Sequence, residues 1–186
     1  MLDYWITTLG PAAWYAGGED LDADIRTRFA DAWRAAAAGG LTGWAETAPG
    51  ALAYIILTDQ FPRNMWRGHA DAFATDALAL SAARAAIAAG HDMATPEPQR
   101  QFFYLPFMHS EDPADQAACI GYMATRMPET GASNHLHARA HAQIIDRFGR
   151  FPYRNAALGR ATTTDEADFM AQGGYGAIVQ ALQGPA

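Results

Sequence analysis

The chain has 186 residues, 50% of them hydrophobic and 18% charged, which is enough to bury one substantial core, and all 13 of its basic residues are arginine. A net charge of −7 excludes a general binder of nucleic acid or acidic membranes, and a single cysteine excludes a disulfide framework. No apolar run approaches the roughly 20 residues that span a bilayer, and the first residues lack signal-peptide features, so we expect a cytoplasmic protein.

Alanine and leucine dominate the long segments, whereas β-branched runs bounded by turns are almost absent, so the sequence predicts an all-α fold. Residues 54–58 have a strand-like composition. However, Leu52, Ile55 and Ile56 recur at the spacing of one helical face, and Asp59 continues that face. We therefore interpret this segment as helix.

Prolines, glycines and capping residues predict seven helices, and Thr75 and Asn134 are the predicted N-caps of the third and sixth. The predicted helices are, with approximate bounds, 22–38, 49–61, 76–89, 97–107, 112–126, 134–148 and a last one from 164. Short connections between such helices favour antiparallel hairpins stacked as a bundle or short solenoid. We expect one domain over residues 1–186.

Asp59 lies on the apolar stripe of its predicted helix, where an isolated carboxylate would cost several kcal/mol, so it needs a partner. Arg63 is four residues further on, but Pro62 intervenes, and we do not expect the ordinary helical pairing of the two. Two interpretations stay open. Asp59 either clamps a neighbouring segment or is the carboxylate of a functional site.

The charge balance is inverted in residues 139–160, where five arginines stand against one acidic residue, Asp146. The arginines are Arg139, Arg147, Arg150, Arg154 and Arg160. Phe148, Phe151 and Tyr153 lie between them and offer surfaces on which guanidinium groups stack. This composition suits a phosphate, a carboxylate ligand or an acidic peptide end. Alternatively, the arginines bind the protein's own carboxylates and helix C-termini.

His109, Ser110 and Glu111 are consecutive, which argues against a catalytic triad because neighbouring residues point in different directions. His109 or Glu111 could serve as an acid–base or binding group. Alternatively, the three residues form a turn before the next helix, with Ser110 and Glu111 accepting from backbone donors.

His137 and His141 have the i, i+4 spacing that can bind a metal, but the H-E-x-x-H pattern is absent. We expect a buried, hydrogen-bonded His141 and no metal or cofactor. Cys119 lies in an apolar helical context and is a predicted core residue. The glycine cluster at 173–176 is predicted to be a turn.

Several polar segments combine into an ordered pattern, and Asp59–Asn64 and Arg150–Asn155 both contain Phe-Pro followed by Arg-Asn. The pattern consists of Asp59–Asn64 with Arg67, Phe73–Asp76, Leu105–Glu111 with Asp115 and Gln116, Arg147–Pro152, Arg154, Asn155, Leu158–Arg160, Thr163 and Glu166, preceded by Tyr4-Trp5 and Trp14-Tyr15. It resembles the bacterial family catalogued as domain of unknown function 924. The resemblance implies a tetratricopeptide-like all-α fold and no particular activity. Tyr153 stands where that pattern has histidine, so no imidazole role is carried over there.

The leading hypothesis is a cytoplasmic binding protein with an arginine-rich polar pocket for a small anion or for a carboxylate or phosphate of a peptide. The predicted lining is Asp59, Arg63, Asn64, Arg67, His109, Glu111, Arg150, Arg154, Asn155 and Arg160. This hypothesis requires the two Phe-Pro segments and the turn at residues 109–111 to meet in space.

Two alternatives stay open. In the first, the protein is a hydrolase or transferase acting on a phosphorylated or carboxylated small molecule. His109 would be its acid–base group, and Asp59 or Glu111 its second carboxylate. In the second, the polar residues form a purely structural network and the function lies on another surface. The sequence leaves the oligomeric state open.

Overall fold

A computed structural model describes residues 1–184, which form helices and turns with no β-strand among them, as the sequence predicts. The α-helices of this part of the chain are α1 (Glu19–Ala37), α2 (Ala48–Ile55), α3 (Phe61–Met65), α4 (Asp76–Ala88), α5 (Leu105–Met108), α6 (Pro113–Arg126), α7 (Ala132–Phe148), α8 (Thr164–Ala171) and α9 (Gly174–Gln183). Shorter segments are π-helical at Asp3–Leu9 and Ile56–Gln60, and 3-10 helical at Thr42–Glu46, Ala70–Phe73, Gln99–Phe103 and Pro152–Arg154.

The chain divides into two compact units, an N-terminal unit, Met1–Pro106, and a C-terminal unit that begins at Phe107. The boundary falls within the four-residue helix α5. Helices α1 to α4 belong to the N-terminal unit and α6 to α9 to the C-terminal unit. The tetratricopeptide-like stacking and the single domain over residues 1–186 stay predictions.

Aromatic side chains form much of the core of the N-terminal unit. The ring of Phe61 lies 4.7 Å from that of Phe29 and 5.2 Å from that of Trp5, centroid to centroid. Phe102 also contacts Trp5, and Trp14 donates its indole N–H to the Trp5 carbonyl oxygen at 2.8 Å. The first helical turn of the chain, which the sequence did not predict, therefore brings a fully buried tryptophan into this core.

Pro62 explains an irregularity between α2 and α3. Proline has no N–H, so in a regular helix the carbonyl of Thr58 would have no donor four residues later. The helix widens to a π-helical turn there, and the hydroxyl of Thr75 donates to the Thr58 carbonyl at 2.6 Å. Thr75 in turn accepts the indole N–H of Trp33 at 3.0 Å. Thr75 stands at the N-cap position of α4, but the prediction that its side chain caps that helix is wrong.

Other predicted helix boundaries are close to the observed ones, with two differences. Helix α7 begins at Ala132 with Gly131 as its N-cap, so the prediction that Asn134 caps it is wrong. A Cβ at residue 131 would lie 2.5 Å from the Met127 carbonyl oxygen, which explains why glycine marks this start. The predicted helix over 97–107 is instead a 3-10 segment followed by α5.

The C-terminal unit is built on the pair of helices α6 and α7, with α9 also packed on α7. Ile144, Ile145, Phe151 and Phe169 form its buried hydrophobic cluster. Cys119 is fully buried on α6, as predicted. The chain turns at Gly173, but α9 begins directly after it at Gly174, so the prediction of a turn over residues 173–176 is wrong for 174–176.

We expect Thr75→Val to lower the free energy of unfolding of the N-terminal unit by about 2 kcal/mol, because two buried polar groups lose their partner. Urea titration followed by tryptophan fluorescence measures this, since all five tryptophans lie within Met1–Trp66. In a Pro62→Ala background the restored N–H can donate to the Thr58 carbonyl. Thr75→Val should therefore lower the free energy of unfolding by less in that background. Equal costs in both backgrounds would contradict this explanation.

Burial raises the pKa of the Cys119 thiol to about 12. We therefore expect the native protein to react with thiol-specific disulfide reagents far more slowly than the urea-unfolded protein, because the thiolate is the reacting form. Absorbance of the released thiol measures the rate. Rapid labelling of the native protein would show that this helix opens readily.

Candidate functional site

In the N-terminal unit, Asp59 is 1% exposed and contacts Arg63 and Gln60. Arg63 Nη1 lies 3.2 Å from Asp59 Oδ1 in spite of the intervening Pro62, so the expectation that the two would not pair is wrong. The same guanidinium donates to both oxygens of Asp76 at 2.9 and 3.0 Å. Arg63 therefore joins two acidic side chains from different helical segments.

Arg67 and Asn64 both bind Asp22, near the start of α1. Arg67 donates to the two carboxylate oxygens of Asp22 at 2.8 and 3.0 Å, and Asn64 Nδ2 donates to Oδ1 at 2.8 Å. Burial raises the pKa of Asp22, but the hydrogen bonds from Arg67 and Asn64 and the charges of Arg67 and Arg26 bring the net pKa below its ordinary value. Asp22 is thus held in its ionised form.

In the C-terminal unit, side chains of α6 organise the end of α5 and the turn over residues 109–112 that follows it. The amide Nε2 of Gln116 donates to the carbonyl oxygens of Phe107, Met108 and Ser110, at 3.2, 2.8 and 2.6 Å. Ser110 Oγ accepts from the Asp112 amide at 3.2 Å, as the turn interpretation predicts, and donates to Asp115 Oδ2 at 2.7 Å.

Glu111 reaches from this turn to the segment that follows α7. Arg160 donates to both of its carboxylate oxygens, at 2.8 and 3.1 Å, and the amide of Phe151 donates to Oε1 at 2.8 Å. Burial raises the pKa of Glu111. The hydrogen bonds from Arg160 and Phe151 and the charges of Arg160 and Arg154 lower this pKa by more than burial raises it. The net pKa lies below the ordinary value, so Glu111 is ionised.

Glu166, which is 2% exposed, forms a second ion pair in this unit. Arg150 Nε and Nη2 bind its two oxygens at 2.5 and 2.9 Å, and Asn155 Nδ2 donates to Oε2 at 3.1 Å. Glu166 also completes a capping box with Thr163 at the start of α8. The hydrogen bonds from Arg150 and from the Thr163 amide are the main causes that lower the pKa of Glu166 to about 2.

A cluster of cations and rings surrounds Phe151, which is fully buried. The guanidinium carbon of Arg154, a residue that is 6% exposed, lies 4.4 Å from the Phe151 ring centroid. The ring of His141 lies 5.4 Å from that of Phe151, 4.9 Å from Tyr175 and 6.5 Å from His109. We call these five residues the histidine–arginine cluster.

His141 is electrically neutral in this cluster. Its Nδ1 lies 2.8 Å from the carbonyl oxygen of His137, four residues earlier, which confirms the predicted hydrogen-bonded histidine. Burial is the largest cause that lowers the pKa of His141, to about 3. The hydrogen bond to His137 opposes the shift, and electrostatic interactions with His109, Arg154 and His137 add to it.

The described part of the chain has surface hollows in both units, and the predicted site residues do not line the two considered below. One of about 600 Å³ in the C-terminal unit is lined by His137 and Tyr175 together with residues 172–183. One of about 320 Å³ in the N-terminal unit is lined mainly by apolar side chains, among them Leu2, Ile6 and Leu52. None of the ten predicted residues lines either hollow. The first hollow adjoins the histidine–arginine cluster, because Tyr175 belongs to both.

Within residues 1–184, no group of three or more histidine, cysteine, aspartate or glutamate side chains is arranged to hold a metal ion. His137 and His141 share a helix, but Nδ1 of His141 is directed to the His137 carbonyl and Nδ1 of His137 to the Tyr175 hydroxyl. None of the helices described is both long and apolar enough to cross a membrane.

The ten predicted residues therefore fall into separate groups. The N-terminal unit contains four of them, Asp59, Arg63, Asn64 and Arg67, and the C-terminal unit contains six, His109, Glu111, Arg150, Arg154, Asn155 and Arg160. The spacing of residues along the sequence did not identify the acidic partners of these arginines, which are Asp22, Asp76 and Glu166. Asp22 carried a usable signal, because it shares the helical face of Ile25 and Phe29 much as Asp59 shares that of Ile55. The single site shared by all ten stays a prediction.

These features define an all-helical protein with buried arginine–carboxylate pairs in both units. The chain belongs to the family described as "Bacterial protein of unknown function (DUF924)", which matches residues 1–174. A solved structure of a protein of unknown function from Agrobacterium tumefaciens is 43% identical, with 92% of this chain and 94% of that chain covered and a TM-score of 0.85. No curated protein matches the chain.

We expect acid to destabilise the protein through His141. Its pKa is about 3 in the fold and 6.5 ordinarily, so between these values the unfolded chain binds a proton that the folded chain does not. The contribution of His141 to the free energy of unfolding is therefore largest above pH 6.5. It decreases by at most about 1.4 kcal/mol per pH unit as the pH falls toward 3.

Urea titrations at several pH values, followed by far-ultraviolet circular dichroism, measure this slope. His141→Gln should flatten it, whereas His135→Gln, the same change on the same helix, should leave it unaltered. An unchanged slope in His141→Gln would assign the acid sensitivity to other groups.

Proposed function

We propose that the protein binds a small carboxylate or phosphate anion at the histidine–arginine cluster. The observation that carries the proposal is the position of Arg154, which is 6% exposed and whose guanidinium carbon lies 4.4 Å from the centroid of the Phe151 ring.

Arg154 is the group best suited to hold the anion. Arg154 packs on the ring of Phe151 with little exposure, and solvent screens the charge of such a guanidinium weakly. Its planar fork of N–H donors matches the oxygens of a carboxylate or a phosphate. The adjoining hollow lined by His137 and Tyr175 offers a route by which a small molecule can approach the cluster.

Most of the other predicted residues are engaged by the protein's own carboxylates, which supports the structural alternative for them. Arg63 binds Asp59 and Asp76, Arg67 binds Asp22, and Arg150 binds Glu166. Replacing these internal partners with a ligand would leave buried carboxylates without their counter-ions, at considerable cost. We therefore do not assign these three arginines to the proposed anion site.

The hydrolase or transferase alternative has less support from the geometry. Glu111 receives three hydrogen bonds and is ionised, so it has no proton to give as a general acid. Asp59 is occupied by Arg63 and Gln60. An acid–base role for His109 stays a prediction, and turnover of phosphate or carboxylate esters that is lost in His109→Ala would favour it.

The test is isothermal titration of the purified protein with a panel of small carboxylates and inorganic phosphate. We expect binding that Arg154→Met weakens at least tenfold and Arg154→Lys weakens less, because lysine keeps the charge but not the fork of donors. Arg139→Met is the matched control, since Arg139 is an exposed arginine on the helix that carries His141.

Circular dichroism and slow labelling of Cys119 establish that each variant is folded before its affinity is compared. Undiminished binding by folded Arg154→Met would reject this site. If Arg139→Met weakened binding to the same degree, the effect would come from the overall charge of the protein and not from a site at Arg154.

A further inference from the structure

We infer that the hollow of about 600 Å³ in the C-terminal unit binds a neutral carbohydrate. Arg154 does not line this hollow, so the carbohydrate site goes beyond the proposed anion site and does not depend on it. Three features of the hollow lead to this inference. They are its glutamine amides, the hydrogen-bonded pair of His137 and Tyr175, and the open space above Gly176.

Three glutamine side chains line the hollow. Gln172 lies at the end of α8, and Gln180 and Gln183 lie three residues apart on α9, which places them on one helical face. Within residues 1–184 these three side chains form no hydrogen bond or ion pair with another residue. An amide carries an acceptor beside a donor, and this arrangement matches two neighbouring hydroxyl groups of a sugar.

The pair of His137 and Tyr175, which also lines the hollow, always retains one donor and one acceptor. Nδ1 of His137 lies 2.5 Å from the Tyr175 hydroxyl. If the hydroxyl donates this bond, Nε2 of His137 keeps an N–H and the phenol oxygen keeps a lone pair. If Nδ1 donates instead, the hydroxyl proton stays available and Nε2 keeps a lone pair. A hydroxyl group of a ligand both donates and accepts, so it can satisfy the pair in either arrangement.

The groups that line the hollow are uncharged at neutral pH. Burial lowers the pKa of His137 and raises the pKa of Tyr175 to about 12. Among residues 1–184, those that line the hollow include no aspartate, glutamate, lysine or arginine. Hydrogen bonds rather than ion pairs are therefore the interactions that this surface offers to a ligand.

A glycine keeps the hollow open. Gly176 lies four residues before Gln180 on the same face of α9, and its φ is outside the left-handed region. Beyond its chain neighbours, a Cβ at this position would have no side chain and no other element within 4 Å. Neither the backbone nor the packing therefore requires glycine, which is unfavourable in a helix. Its effect is to leave room beside Ala177 and Val179, whose apolar surface the C–H groups of a sugar ring can cover.

A sugar combines the properties that these features require, namely neighbouring hydroxyl groups, apolar C–H groups and no net charge. The volume of about 600 Å³ lies within the range of roughly 300–1,000 Å³ that is typical of small-molecule sites. The hollow can therefore accommodate a monosaccharide or a disaccharide.

Titration of the protein with glucose, galactose, maltose and trehalose, followed by the side-chain amide resonances of its glutamines, tests the inference. We expect at least one sugar to shift the resonances of Gln172, Gln180 and Gln183. The resonance of Gln143, an exposed glutamine on α7 that does not line the hollow, should stay in place. The affinity for that sugar should be the same at low and high salt, because salt screens only interactions between charges.

Gly176→Leu should weaken the binding of that sugar about tenfold, because the new side chain enters the open space. Leucine is favourable in a helix, so the variant should stay folded. Gly121→Leu is the matched control, since Gly121 is an exposed glycine of α6 where a Cβ also meets open space, but it does not line the hollow. Gln180→Ala combined with Gln183→Ala should also weaken binding about tenfold, through the loss of hydrogen bonds. Circular dichroism shows whether each variant is folded.

Several outcomes would overturn the inference. They are binding of no sugar, equal affinities of folded Gly176→Leu and Gly121→Leu, and an affinity that falls as salt is added. Binding of the neutral peptide N-acetyl-trialanine amide in preference to every sugar would identify a peptide site instead. Folded Arg154→Met should bind the sugar as the native protein does, so failure of the anion site and failure of the carbohydrate site can be distinguished.

Discussion

A buried carboxylate held by an arginine and an asparagine is the interaction on which both units depend. In the N-terminal unit Arg67 and Asn64 hold Asp22, and in the C-terminal unit Arg150 and Asn155 hold Glu166. In each case the acidic residue lies in the first turn of a helix, where the helix dipole also favours a negative charge. Each arrangement ties the start of a helix to a segment distant in the sequence.

The same constraint determines where a ligand could bind. A buried ion pair contributes little to net stability, but removal of one partner is costly, so arginines in such pairs are unsuited to exchange their carboxylate for a ligand. The guanidinium of Arg154 packs on the ring of Phe151. Arg150 and Arg154 therefore lie four residues apart in different surroundings, since Arg150 binds a carboxylate and Arg154 packs on an aromatic ring.

Much of the fold could be predicted from local pattern. The helix Pro113–Arg126 has the predicted bounds, because Asp112 caps it and Pro113 suits its first turn. The predictions for Thr75 and Arg63 failed because of the irregular helix around Pro62. The sequence predicts Thr75 as an N-cap. However, Pro62 has no N–H to donate to the Thr58 carbonyl, and the Thr75 hydroxyl donates to it instead. The pairing of Arg63 with Asp59 was missed because the π-helical turn was not foreseen.

The sequence by itself determined the helical class, the family and the residues that carry unusual polarity, because helical periodicity, caps and ordered motifs are local properties. It also determined that these residues need partners, since buried charge is costly. Only the tertiary structure decided which partners they have. Asp22, Asp76 and Glu166 look like ordinary helix-start acids in the sequence, and their contacts with Arg67, Arg63 and Arg150 arise from packing of segments far apart in the chain.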